Sequence, residues 1–167
     1  AYIEGGWPGS NPKDVGFFRA AKNLTLSSSR IAAFTSTKRK DSDVERDAAL
    51  KSVLEADVKT AVVFGKSWDL HVKEVLYTTL SENLEMIGQS IRYLRSNGLE
   101  VIFDAEHFFD GYKAQREYAL EVVESAEGAG ADTVVLCDTN GGTLPREIGS
   151  AVKDVKKKTG VRVGIHI

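Results

Sequence analysis

The stretch GLEVIFDAEHFFDG, residues 98–111, is the part of the chain whose reading decides the fold. Val101, Ile102 and Phe103 form a short apolar, β-prone run that follows Asn97-Gly98 and ends in the acids Asp104 and Glu106 with His107 beside them. A run of that length and composition reads as a buried strand whose carboxyl end carries polar chemistry. Immediately upstream, Leu84, Ile87, Ile91 and Leu94 fall on one face at helical spacing. This predicts a helix over 82–95, stopped by Asn97-Gly98.

Working outward, five further runs of the same kind occur at Tyr2-Ile3, Arg30-Phe34, Thr60-Phe64, Thr133-Leu136 and Val161-Ile165. TAVVF and DTVVLC are almost wholly apolar, as strands of a parallel sheet covered on both faces are. Helical stripes follow at Tyr118, Val122 and Ala126, and at Ile148, Val152 and Val155. The strand starts recur about every 32 residues, near the roughly 250 residues shared among eight units of a (β/α)₈ barrel. A doubly wound open sheet has the same alternation, so spacing leaves both architectures standing.

The strand ends favour the barrel. Glu4, Thr35-Ser36, Lys66-Ser67, Asp104 to Glu106, Asp138-Thr139-Asn140 and His166 all stand at carboxyl ends. A barrel brings those ends to one mouth, whereas an open sheet strings them along an edge. The expectation is an α/β TIM barrel present as an incomplete barrel of about six of its eight strands. Residues 1–167 are expected to form a single catalytic domain truncated at both ends, since AYIEGG and GIHI both read as strands.

Composition narrows the function classes. With 42% hydrophobic and 28% charged residues the chain has the balance of one globular domain, and its net charge of -2 with scattered Lys and Arg argues against nucleic-acid partners. Cys137 stands alone, which excludes an internal disulfide framework and fits a reducing, cytoplasmic setting. No apolar run approaches the roughly 18 residues of a membrane span, so no membrane partner is expected.

Carboxylates near a barrel mouth need a cation or a metal, because an unpaired ionised acid is costly to desolvate. Asp104 and Glu106 read either as such groups or as salt-bridge and capping residues. Position favours function for Glu106, while Asp110 before Gly111 reads as a turn or capping residue. CDTNGG, residues 137–142, links a strand to a helix that opens with Pro145, and such loops hold carboxylate or phosphate groups. The same loop is readable as a plain glycine turn with Asp138 serving structure. It is neither a P-loop nor a dinucleotide fingerprint. His166 and His71 are each readable as ligands or as buried structural histidines. Glu4, ending an apolar strand, points toward the mouth, and Asn11 with Pro12 reads as a helix start. Lys38 to Asp47 reads as a solvated loop, and Cys137 as a small buried hydrophobe.

IEGGWPGSNPKD (3–14), FDAEHFFDGYK (103–113), AGADTVVLCDTNGG (129–142) and GIH (164–166) together resemble the barrel of the isopropylmalate, homocitrate and citramalate synthase family, over essentially the whole chain. EHFFDGYK and LCDTNGGTLP are most similar to its citramalate synthase branch. The resemblance implies a (β/α)₈ barrel and a Claisen-type condensation of acetyl-CoA with a 2-oxo acid, pyruvate in that branch, on the route to isoleucine. It implies a divalent metal, Mg, Mn or Zn, and a homodimer for the full-length enzyme. His166 is similar to the first histidine of the family's His-x-His metal pair. Thr139 is similar to the threonine that binds the 2-oxo acid carboxylate, and Glu106 to the active-site glutamate. Glu4, His71 and Asp104 are expected around the substrates.

The family's LRDG-like strand, with an arginine and a metal-binding aspartate, and the second histidine are not in these residues. The 167 residues alone are therefore expected to be inactive and to bind metal weakly. Pyruvate carries only a methyl group, so bulky Phe103 or Phe108 is expected to fill the space a larger acceptor needs. The rival readings are an isopropylmalate or homocitrate synthase, a metal-dependent lyase or aldolase on a related barrel, and a non-catalytic module.

Overall fold

The computed structural model describes all 167 residues. Six strands, β1 (Tyr2–Glu4), β2 (Arg30–Ser36), β3 (Thr60–Lys66), β4 (Glu100–Glu106), β5 (Thr133–Cys137) and β6 (Arg162–His166), form one sheet in the order β1-β2-β3-β4-β5-β6. Every neighbouring pair is parallel. Between them run α1 (Pro12–Ala21), α2 (Ala48–Glu55), α3 (Asp69–Glu74), α4 (Leu80–Ser96), α5 (Phe108–Ala114), α6 (Arg116–Gly128) and α7 (Pro145–Lys158).

Strand order separates the two architectures that spacing left standing. A doubly wound sheet reverses its order at a switch point and places helices on both faces. Here each crossover steps one strand in the same direction, and crossovers of one hand then put every helix on the same face. The other face curls inward, so the six strands are an arc of a (β/α) barrel.

Period-two alternation divides the side chains between the two faces. Ala33, Val63, Val101, Phe103, Val134 and Leu136 point outward into a core of 29 buried residues shared with the helices. Ala32, Val62 and Ile102 point inward and form a separate small cluster with Phe34 and Val135. Most of the apolar burial thus lies between sheet and helices, at roughly 1.5–3 kcal/mol for each fully buried large side chain. Phe103 and Phe108 are fully buried in that outer core, so neither shapes an acceptor pocket, contrary to the expectation from sequence. With Asp104 facing inward, alternation sends Phe103 outward.

Local chemistry sets the helix ends. Asn11 caps α1 by accepting from the Asp14 N–H at 3.0 Å, with Pro12 in the first turn. Thr79 caps α4 by accepting from the Glu82 N–H at 3.1 Å, and Gly98 follows that helix at φ 84°. The predicted helix over 82–95 is α4. No helix is long and apolar enough to cross a membrane.

At the amino ends of the strands, inward-facing side chains make a polar plug. The Glu100 carboxylate accepts from the Tyr2 hydroxyl, from Arg30 Nη1 at 2.8 Å and from Thr60 Oγ1 at 3.2 Å, with Arg162 Nη2 3.7 Å away. Strands β1, β2, β3, β4 and β6 are thereby tied at one end, leaving the carboxyl ends as the open mouth.

Candidate active site

Register decides which side chains meet at the mouth. Phe64 stands opposite Asp104, Lys66 opposite Glu106, and Cys137 opposite His166. All of these lie on the inward parity. A cavity of about 630 Å³ opens there, lined by Glu4, Asp104, Glu106, Thr139 and His166 together with an apolar wall of Trp7, Phe34 and Phe64. That volume is in the ordinary range for a small-molecule site. The Phe34 and Phe64 rings stack at 5.2 Å, and the Trp7 ring meets both edge-on at 6.0 and 5.7 Å.

Asp104 is the most perturbed acid of the mouth. Its pKa is raised to about 6, chiefly by burial and then by the nearby Glu4 carboxylate, with His166 opposing both. Asp104, Cys137 and His166 each bring a ligand atom within 4.8 Å of the others. Cys137 is pushed up to about 12 by burial and then by Asp104 and Glu106, so it stands as a protonated, buried thiol. Glu106 forms an ion pair with Lys66 from the neighbouring strand, and the Lys66 amine lies 5.7 Å from the Phe64 ring centre. Four acids, Glu4, Asp104, Glu106 and Asp138, line the cavity beside one histidine, with Lys66 paired to Glu106 from outside the lining, and that excess favours a cation.

The loop after β5 divides its work. Asp138 accepts from the Thr143 N–H at 2.9 Å and the Thr143 hydroxyl at 2.8 Å, and these bonds hold its carboxyl below the usual range. Its side chain is therefore spent on bracing its own turn. Thr139 is exposed to the cavity, and its hydroxyl oxygen accepts from the His107 N–H at 2.9 Å, leaving its own proton free to donate.

The segment after β4 is shaped by two unusual backbones. His107 adopts a left-handed conformation, φ 55° and ψ 34°, just before α5. Gly111 passes so close to the β3–α3 connection that a Cβ there would collide with the Ser67 carbonyl oxygen. This is the physical requirement behind the glycine of EHFFDGYK.

His71 stands apart from the cavity-lining residues. It lies in α3 against the Trp68 and His107 rings, at 4.7 and 4.5 Å, with Nδ1 buried and without a hydrogen-bond partner. Burial, then the neighbouring His107, lowers its pKa and keeps the ring neutral. The structure thus brings Glu4, Asp104, Glu106, Thr139 and His166 together and leaves His71 at the rim. Trp7, Phe34 and Phe64 were not singled out in the sequence, nor was Lys66 assigned a role. The inward parity set by Asp104 and Glu106 was the signal that could have found Phe34, Phe64 and Lys66, whereas Trp7 lies in the connection after β1, where parity does not apply.

Comparison with known proteins agrees with this fold. The chain is 55% identical over 166 residues to the (R)-citramalate synthase of Sulfolobus acidocaldarius, covering 99% of this chain and 32% of that protein. It is 36% identical over 115 residues to the homocitrate synthase of the same organism, covering 69% of this chain and 24% of that protein. The chain thus spans about a third of the length of the citramalate synthase it matches. Among solved structures, the HMG-CoA lyase of Bacillus subtilis superposes with a TM-score of 0.76 at 18% identity, over 99% of this chain and 55% of that one. The HMGL-like family model matches residues 1–167 throughout, and the chain belongs to the HMGL-like family.

Proposed function

We propose that the polypeptide carrying this chain condenses acetyl-CoA with pyruvate to give (R)-citramalate, the chain supplying six strands of the catalytic barrel. The observation that carries this reading is the cavity itself. Acids, a hydroxyl and a histidine from β1, β4, the β5 loop and β6 converge beside an aromatic wall that suits a small apolar substituent such as a methyl group. The stronger kinship to a citramalate synthase than to a homocitrate synthase of one organism supports pyruvate over 2-oxoglutarate.

Both substrates are anionic, and the cavity is already rich in carboxylates, so a cation belongs with the site. His166 is the residue that would hold a divalent ion, with the Asp104 carboxylate close enough to join it. When bound, such an ion would supply Lewis-acid polarisation of the keto carbonyl and stabilisation of negative charge on its oxygen. Thr139 donates its hydroxyl proton to the carboxylate of the 2-oxo acid. Glu106, oriented by Lys66, accepts a proton from the thioester methyl group. The resulting carbanion forms the new bond to the keto carbon, whose oxygen takes up a proton to end as a hydroxyl, balancing the one Glu106 removed, and water then cleaves the thioester to release CoA and the free carboxylate. Glu4 lines the same cavity and lies near Asp104. A homodimer and a magnesium, manganese or zinc ion complete the proposal for the full-length enzyme.

The test is release of free CoA thiol by the full-length protein with pyruvate, 2-oxobutyrate, 2-oxoisovalerate or 2-oxoglutarate. Preference for pyruvate supports the reading, and preference for a larger acid keeps the chemistry but moves the acceptor. Silence on all four acids sinks the synthase reading.

A further inference from the structure

Thr139 sits on a loop that has little of its own to hold it. Residues 139–142 are exposed, Gly141 takes φ 68°, and the Asp138 brace reaches Thr143 without touching the Thr139 side chain. What fixes the hydroxyl comes from the neighbouring connection between β4 and α5. The His107 N–H donates to Thr139 Oγ1 at 2.9 Å, and His107 itself takes a left-handed backbone as the chain turns into α5. A left-handed backbone is strained for a histidine and persists only where its surroundings hold it.

The group that holds it is Asp110. One carboxylate oxygen, Oδ2, is 3.0 Å from His107 Nδ1 and also accepts from Asn140 Nδ2 at 3.0 Å. Asp110 therefore grips both sides: the histidine that presents its N–H to Thr139, and the residue next to Thr139 in the loop. Asp110 also lies in the first turn of α5, where an acid is favoured by the helix dipole whatever the loop does. That role alone would not need Asn140.

We propose that Asp110 is a positioning residue for the 2-oxo acid, clasping His107 and Asn140 with one carboxylate oxygen so that the Thr139 hydroxyl is fixed toward the acceptor carboxylate. The proposal rests on the assignment of Thr139 to acceptor binding, and it adds that binding is set by a residue that does not line the cavity.

Two readouts on the full-length protein test it. In steady-state kinetics, Asp110→Ala raises KM for the 2-oxo acid about tenfold, leaves KM for acetyl-CoA within twofold, and adds less than twofold when Thr139 is already Val, because both changes act through one hydroxyl. Asp110→Asn, which keeps one acceptor oxygen, falls between. In hydrogen exchange, which needs no activity, Asp110→Ala and Asn140→Ala each speed exchange of residues 137–144 and of the His107 amide at least fivefold. Asn140 is exposed, so its variant stands in should Asp110→Ala fail to fold. Unchanged exchange in the Asn140 variant overturns the clasp even if the enzyme proves to act on another substrate. A normal KM, or effects of Asp110→Ala and Thr139→Val that simply multiply, overturns the positioning role while leaving the synthase reading intact.

Discussion

Lys66 and Glu106 stand opposite each other on β3 and β4, both facing the barrel interior, and their side chains form an ion pair at the rim of the candidate site. Neither is fully buried, with side-chain exposures of 16% and 25%, so the pair is shielded enough to matter and open enough to meet a substrate. Its place between an aromatic wall and the acid cluster makes it the hinge of the proposed chemistry.

Removing either partner is therefore expected to act on turnover more than on folding. Glu106→Gln lowers kcat by about 10² to 10⁴, the range for losing a positioned proton acceptor. Lys66→Met leaves the Glu106 carboxylate without its partner and lowers kcat by about 10 to 10², with the unfolding midpoint little moved. Kinetics beside thermal unfolding separate the two effects, and a fully active Glu106→Gln enzyme would remove Glu106 from the mechanism.

In the proposed reaction the aromatic wall is expected to set acceptor size. Phe34→Ala or Phe64→Ala opens space beside Thr139 and raises kcat/KM for 2-oxoisovalerate relative to pyruvate by about tenfold, the scale at which a pocket discriminates one or two methylenes. Phe103→Ala and Phe108→Ala instead lose about 3–5 kcal/mol of stability, because both rings lie in the outer core. Unchanged acceptor ratios in both cavity variants would show that the wall does not select.

Acid should loosen the barrel from its amino end. Burial of Glu100 opposes its ionisation, but hydrogen bonds from Tyr2, Arg30 and Thr60 outweigh burial and hold the carboxyl below the ordinary glutamate value. A depressed folded-state pKa contributes stability above the unfolded value, about 4.3, and that contribution is lost as pH falls through the folded value. Wild-type stability therefore drops on acidification from about pH 5 downward, whereas Glu100→Gln has a flatter acid limb. Denaturant titrations at several pH values read this directly, and parallel acid limbs would deny Glu100 the role.

Much of the fold was legible from local pattern. The apolar runs ending in Asp104-Glu106 and Cys137-Asp138 located β4 and β5, and the Leu84-to-Leu94 stripe located α4, because burial imposes those periods. Strand lengths were underread at Lys66 and Glu106, since charged residues that face a mouth do not look like strand. Phe103 and Phe108 were placed on the wrong side, although alternation from Asp104 was enough to send Phe103 outward. The Glu100 plug and the Asp110 clasp were beyond the sequence. Each joins residues about 30 to 100 positions apart, and only strand register brings them together. Likewise, nothing local to SWDLHV showed that α3 turns His71 toward His107 and away from the cavity.

The most direct test of the central claim follows the carbon. The full-length protein is incubated with pyruvate, a divalent ion and acetyl-CoA labelled with ¹³C in its methyl group, and the products are read by NMR. The account predicts label in the methylene of citramalate, one free CoA per citramalate, and loss of both signals on adding EDTA. Label that stays in acetyl-CoA or emerges only as acetate would mean that no carbon–carbon bond is made, and would contradict it.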